Sequence, residues 1–216
     1  MDFAAARQLM VETQVRTADV TDPAILAAMR ALPREAFAPP ARKLLAYSDS
    51  ELEVAPGRTL LRPRDLAKLL QAVAPRRTDR ALEIAGATGY GTALLAQICE
   101  DAVLLEPDSA LNFAAVAAFG ACGVTGAHTA STDIAAGWPD LAPYDVIILN
   151  GAAEVVPDAW LTQLAEGGRL GVIVRDGPAG HARVYTKARG VTAYRVVFDA
   201  APPVAPGLAA VPTFSF

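Results

Sequence analysis

The chain is poor in the residues that build metal centres, disulfide frameworks and nucleophile–base pairs. Its 216 residues include two cysteines and two histidines. Cys99 and Cys122 form no Cys-x-x-Cys motif and have no clustered histidine, so the spacing offers neither a zinc site nor a dithiol redox pair; they read as two packed thiols in a reducing cytosol. His128 and His181 stand far apart and read as surface or loop residues, which leaves no histidine-centred catalytic cluster and no metal site. Charge of one sign is also lacking: 19 Lys and Arg against 23 Asp and Glu give a net charge of -4 without blocks, so no basic face is offered to nucleic acid. No apolar run approaches the roughly 18 residues of a membrane span. The opening M-D-F-A-A-A-R-Q-L-M has an acid at position 2 and no continuous apolar core, unlike a secretory signal. A cytoplasmic chain without nucleic-acid or membrane partners is expected. Internal repeats are absent as well.

With 53% hydrophobic residues, the chain can bury one good-sized core with a small appended segment. Its organising stretch is R-A-L-E-I-A-G-A-T-G-Y-G-T-A, residues 80 to 93. A short apolar run breaks into Gly, Ala and Thr, then resumes as the Ala-rich pattern of Leu94, Leu95 and Ile98. That is strand, tight turn and helix, the unit that holds a nucleotide at a helix N-terminus on the carboxyl edge of a parallel sheet. The spacing of Gly86, Gly89 and Gly91 is wrong for G-x-G-x-x-G. Glu106 ends the next apolar run, placed where a carboxylate accepts hydrogen bonds from both hydroxyls of a ribose. Loop and acid alone leave nicotinamide and adenosylmethionine cofactors both open.

In chain order, residues 2 to 17 have helical spacing, and Thr21-Asp22-Pro23 opens a second helix that Pro33 ends. Residues 33 to 63 read as a proline-rich, irregular cover with a short helix at 41 to 46; residues 64 to 73 return to helical period. From Arg80 strands and helices alternate: strands at 81–85, 102–106, near 124–129, 144–149 and 169–175; helices at 92–99, 108–119 and 157–165. Residues 183–187 and 192–198 around Arg189-Gly190 read as a hairpin. The predicted fold class is therefore α/β: a doubly wound, mostly parallel seven-stranded sheet ending in an antiparallel hairpin, which favours a methyltransferase-type sheet over a dehydrogenase. The expected organisation is an N-terminal helical and loop cover (1–78), the α/β domain (79–199) and an extended C-terminal arm (200–216).

Several strings, taken in order, resemble the protein-L-isoaspartate O-methyltransferase family. They are M-V-E-T-Q-V-R (10–16), A-L-P-R-E-A-F-A-P (31–39), A-Y-S-D (46–49), L-E-I-A-G-A-T-G-Y (82–90), A-P-Y-D-V-I-I-L-N-G-A-A (142–153) and Q-L-A-E-G-G-R-L (163–170). The resemblance covers about residues 5 to 190. It implies binding of S-adenosyl-L-methionine and methyl transfer to the free carboxylate of L-isoaspartyl residues in damaged proteins, by a monomer or weak homodimer. Such chemistry asks little of side chains, because a carboxylate is already ionised at neutral pH and the enzyme mainly aligns two reactants and excludes water.

By the same resemblance the cofactor-binding residues are Glu83, Ala85, Gly86, Ala87, Thr88, Gly89, Tyr90, Glu106, Thr132, Asp133 and Asn150. Glu106 is implied for the ribose, Asp133 beside Thr132 for the adenine amino group, Asn150 for the pocket floor and Tyr90 for the amino-acid end. The acceptor loop corresponds to Gly57-Arg58-Thr59-Leu60-Leu61-Arg62-Pro63, giving Thr59, Leu61 and Arg62 as catalytic candidates. Two departures stand out. Leu61 occupies the place of a serine and can neither donate nor accept a hydrogen bond, while Arg62 replaces a glutamine. In the cofactor loop Ala85 and Ala87 replace glycines, adding methyls and disfavouring positive φ by roughly 1 kcal/mol. These departures keep two alternatives open: a degenerate member acting as a binding or regulatory module, and a methyltransferase with a different acceptor.

Overall fold

The computed structural model describes residues 2–210. Helix α1 (Phe3–Met10) is capped by Asp2, whose carboxylate accepts the Ala5 N–H at 3.0 Å. The single helix expected to residue 17 does not continue regularly: its turns widen to π geometry at Val11–Val15 and tighten to 3-10 at Arg16–Ala18. Thr13 and Thr17 return their hydroxyls to the carbonyls of Leu9 and Thr13, a side-chain insertion that bends helices. Helix α2 (Pro23–Ala31) starts as expected, with Asp22 accepting from Ala24 and Ile25 and proline in the first turn.

The irregular cover contains order that its sequence does not announce. After 3-10 turns at Arg34–Phe37 and Pro40–Leu45, strands β1 (Leu52–Ala55) and β2 (Arg58–Leu60) form an antiparallel hairpin. Strands of four and three residues are too short to show alternation. Gly57, at φ +70, makes the turn, and α3 (Pro63–Val73) follows.

The main sheet comprises β3 (Arg80–Ile84), β4 (Asp101–Leu105), β5 (Ala127–Ala130), β6 (Tyr144–Ala153), β7 (Leu164–Asp176), β8 (Ala179–Ala188) and β9 (Val191–Asp199). Their spatial order is β5-β4-β3-β6-β7-β8-β9, parallel through β7 and antiparallel thereafter. Helices α4 (Tyr90–Ile98), α5 (Ser109–Cys122) and α6 (Asp158–Thr162) join the strands. The helix expected over 157–165 stops at Thr162, because the chain turns back to pair Leu164 with Tyr144. Gln163 fixes that turn, accepting the Trp138 N–H and donating to the Ala136 carbonyl.

Strand residues alternate between two cores. Ala81, Leu104, Val146, Ile148 and Ile173 pack with residues of α2 to α5, such as Met29, Leu69, Leu94 and Phe119. Leu82, Ile84, Val103, Ile147, Leu149 and Val172 pack with Trp160 of α6, Ile134 and Leu208. Central parallel strands buried on both faces require this continuous apolar character. Glu83 falls in register with the helical side and is the acid inside that pattern. In the C-terminal stretch, residues 203–208 lie along β6: Ala152 donates to the Pro203 carbonyl and accepts from Ala205. The rest of the expected arm, residues 211–216, lies outside the described residues. No helix among the described residues is long and apolar enough to cross a membrane.

Candidate functional site

At the carboxyl edge of β3 the chain turns through Ala85–Gly89 into α4. Ala85 and Ala87 stand at φ 54 and 55, so both alanines take the left-handed shape that glycine adopts at little cost, and Gly89 follows at φ +82. Gly86 is needed for space. A methyl there would lie 2.4 Å from Leu104 Cδ1 and 2.5 Å from Glu83 Oε2. The wholly buried Glu83 carboxylate ties this turn to the helix behind it, accepting both the N–H and the hydroxyl of Thr92 at 2.6 Å. Its other oxygen, Oε1, has no hydrogen-bond partner and faces Gly91, where a methyl would sit 2.0 Å away. Burial pushes the Glu83 carboxyl up to about 7, against the lowering effect of the Thr92 bonds and with a further push from the Glu106 charge.

Glu106, just beyond β4, is equally buried but differently partnered. It accepts the N–H of Ala87 at 2.9 Å and that of Asp108 at 3.0 Å, so it grips the turn from the opposite side. Its remaining capacity goes to Arg58 on β2. Arg58 Nη1 donates to Oε1 at 2.7 Å and Nη2 to Oε2, a forked pair, and Nη2 also reaches the Ala85 carbonyl at 3.1 Å. The Arg58 side chain is 12% exposed. A guanidinium from the cover therefore rests on the carboxylate that ends β4.

Asn150, in β6, clamps the same hairpin. Its Nδ2 donates to the carbonyls of Thr59 (2.8 Å) and Ala85 (3.1 Å), and its Oδ1 accepts the Leu61 N–H at 3.1 Å. Thr59, Asn150, Ala85 and Glu106 are thus brought together. Leu61 contributes its backbone there, while its side chain is fully buried in the core. Arg62 is directed elsewhere, donating to Glu51 at 2.8 and 3.0 Å and pairing with Asp65 at 3.2 Å. Thr88 donates its hydroxyl to the Phe37 carbonyl at 2.6 Å, tying the turn to the cover. Tyr90 is fully buried, edge-on to Phe37 and beneath the Arg34 guanidinium at 4.6 Å. Thr132 and Asp133 lie just past β5; the exposed Asp133 caps a 3-10 turn, accepting the Ala135 N–H at 3.0 Å.

Two residues outside the sequence-based candidates matter to this geometry. Gly91 leaves room for Glu83, and its place in G-Y-G was the available signal. Arg58 has no local signal, because its partner lies 48 residues away. A cavity of about 370 Å³ adjoins the turn, lined by Phe37, Pro40, Val54, Thr88, Asp108 and Leu111 among others. Another, of about 480 Å³ near Cys99 and Glu100, lies at the amino end of the strands, away from the edge where parallel α/β sheets hold ligands. Among the described residues no cluster of His, Cys, Asp and Glu could hold a metal ion.

Comparison with known proteins shows which family the chain resembles. The profile of the protein-L-isoaspartate(D-aspartate) O-methyltransferase family matches residues 5–199. A protein-L-isoaspartate O-methyltransferase 1 from Rhodopseudomonas palustris is 41% identical over 168 residues, 78% of this chain and 69% of that protein. One from Methylorubrum extorquens is 41% identical over 179 residues, 83% of this chain and 77% of the relative. Among solved structures, a protein-L-isoaspartate O-methyltransferase at 25% identity superposes with a TM-score of 0.80, covering 94% of this chain and 67% of its own. A Plasmodium falciparum methyltransferase structure in complex with S-adenosyl-L-homocysteine gives the same TM-score at 17% identity, over 92% of this chain and 97% of that one, and supports the fold alone.

Proposed function

The chain belongs to the protein-L-isoaspartate(D-aspartate) O-methyltransferase family, and from that premise we propose that it binds S-adenosyl-L-methionine and methylates the free carboxylate of L-isoaspartyl residues in damaged proteins. One observation carries this reading. The turn after β3 keeps the backbone shape of a glycine loop even where alanine stands, and its Ala87 N–H remains on Glu106 at 2.9 Å. A left-handed alanine costs about 1 kcal/mol, so two of them in one turn are retained against local preference.

In this frame the chain's own residues would hold the cofactor. Glu106 would accept the ribose hydroxyls once Arg58 yields an oxygen, Asp133 beside Thr132 would receive the adenine amino group, and residues 85–89 would line the amino-acid end with Glu83 fixing their course. Asn150 would hold the pocket floor, and Tyr90 the packing behind the turn. When bound, the cofactor supplies an electrophilic sulfonium methyl. The chain's own residues align the reactants: the hairpin clamped by Asn150 presents Thr59, the hydroxyl of the acceptor loop, while the core-buried Leu61 anchors that loop to the body of the domain. Arg62, held by Glu51 and Asp65, would stiffen the loop's exit into α3. The reading places the protein in the cytoplasm as a monomer or weak homodimer acting on peptides and proteins, without nucleic-acid or membrane partners; its dispersed net negative charge speaks against a nucleic-acid partner.

Methyl incorporation into an isoaspartyl peptide, compared with its aspartyl twin and run beside calorimetry with the cofactor, tests the assignment. Label is expected in the isoaspartyl peptide alone. If both peptides stay unlabelled while the cofactor binds, the repair assignment fails.

A further inference from the structure

The cover places three arginines near the candidate site, and two are held by partners within the cover and α3. Arg34 is buried, donating to the carbonyls of Ala46 and Leu61 and stacked on Tyr90. Arg62 serves Glu51 and Asp65. Arg58 differs because its partner is Glu106, the carboxylate that the proposed function gives to the ribose. Ligand and arginine cannot both have both oxygens.

The consequences follow from charge. With ribose hydroxyls on Glu106, that carboxylate keeps the Ala87 and Asp108 N–H bonds and gains two donors, so it stays satisfied. Arg58 loses its counter-charge at a site only 12% exposed. A part-buried guanidinium without a carboxylate is unfavourable, and its planar fork matches a carboxylate geometrically. The methyl acceptor brings a carboxylate. Arg58 also sits one residue before Thr59, in the loop where Leu61 supplies no hydroxyl, and Gly57 beside it has open space around its Cα, so the hairpin tip has room to move.

We propose that Arg58 alternates between two carboxylates, Glu106 of its own chain and the carboxylate of the methyl acceptor, with the cofactor's ribose driving the exchange by claiming Glu106. This rests on the proposed function and adds a specificity residue to it. Because Arg58 competes with one ligand and binds the other, cofactor and acceptor strengthen each other's binding, and linkage makes the effect reciprocal.

Calorimetry with S-adenosyl-L-homocysteine, which cannot transfer a methyl, tests this on the full chain. Wild type, Arg58→Ala and Arg58→Gln are each titrated alone, with a saturating isoaspartyl peptide, and with its aspartyl twin. The isoaspartyl peptide is expected to tighten homocysteine-ligand binding to wild type at least about fivefold. Both variants are expected to bind that ligand alone about tenfold more tightly than wild type, with the peptide's effect falling below about twofold. Thermal unfolding identifies a variant that fails to fold; Arg58→Gln, which removes the charge but keeps a polar side chain, then carries the comparison. Unchanged or weaker binding by the folded variants overturns the exchange, as does a peptide effect that survives in them. Wild-type binding with no response to either variant sinks the exchange alone. No binding by any of the three proteins at millimolar ligand sinks the proposed function as well.

Discussion

Two buried glutamates flank one turn, and their partners could hardly be more different. Glu83 is served from within its own strand–turn–helix unit, by Thr92 nine residues on, and keeps one oxygen without a partner. Glu106 is served by the turn, by the start of α5 and by Arg58 from a separate hairpin. The first arrangement is a sealed structural joint that nothing from outside can enter without collision. The second uses a long, part-exposed side chain as its outermost partner, and that is the kind of contact a ligand can displace. Similar burial thus supports opposite roles, and what separates them is where the hydrogen-bond donors come from.

The largest effect is expected at Gly91. Gly91→Ala puts a methyl 2.0 Å from Glu83 Oε1 and 2.7 Å from its carboxyl carbon, so the buried carboxylate must shift and strain its bonds to Thr92. We expect a loss of about 3 kcal/mol or more in chemical denaturation. A loss under 1 kcal/mol would mean that the Glu83 joint is looser than described.

The charge on Glu83 gives the next effect. Its carboxyl titrates near 7 in the folded chain, above the ordinary value of 4.5 expected on unfolding. The folded state therefore holds the extra proton between those values. The associated stability is fully present below about pH 4.5 and is lost as pH rises through about 7, on the order of 3 kcal/mol for a shift of this size. Glu83→Gln should remove this component from a pH series of urea melts, flattening the profile between pH 5 and 8. An unchanged slope would assign the pH dependence to other groups.

Leu61→Ser probes the hairpin that delivers Arg58. Because the leucine side chain is in the core, a serine there leaves a void and buries a hydroxyl, with an expected cost of about 2–3 kcal/mol. A neutral result would show that this loop repacks freely. The smallest effect belongs to the turn between the two acids. Ala85→Gly and Ala87→Gly relieve left-handed alanines at the price of a more flexible unfolded chain, so each should stabilise by a few tenths to about 1 kcal/mol. Destabilisation by both would contradict the strain assigned to the turn.

The strand–turn–helix unit and the order of alternating elements were legible because local patterns carry them: apolar runs bounded by glycine, and Thr21-Asp22-Pro23 opening α2. The terminal hairpin was legible from Arg189-Gly190. Less could be read where short or distant pairings decide. The β1–β2 hairpin has too few residues for a period, and α6 ends early because Leu164 finds Tyr144 rather than through any breaker in its own sequence. The two acids and the altered turn could be picked out as strings, but their partners could not. Thr92 lies one helical turn away from the loop; Asn150 meets the turn when β6 pairs with β3, and Arg58 only after the cover folds onto the sheet.

The most direct test is a crystal structure with S-adenosyl-L-homocysteine bound. Both ribose hydroxyls are expected on Glu106, with the Arg58 guanidinium moved off that carboxylate and the Ala87 N–H still in place. Density showing Arg58 forked on Glu106 as before, with the ligand bound elsewhere on the surface, would contradict this assignment.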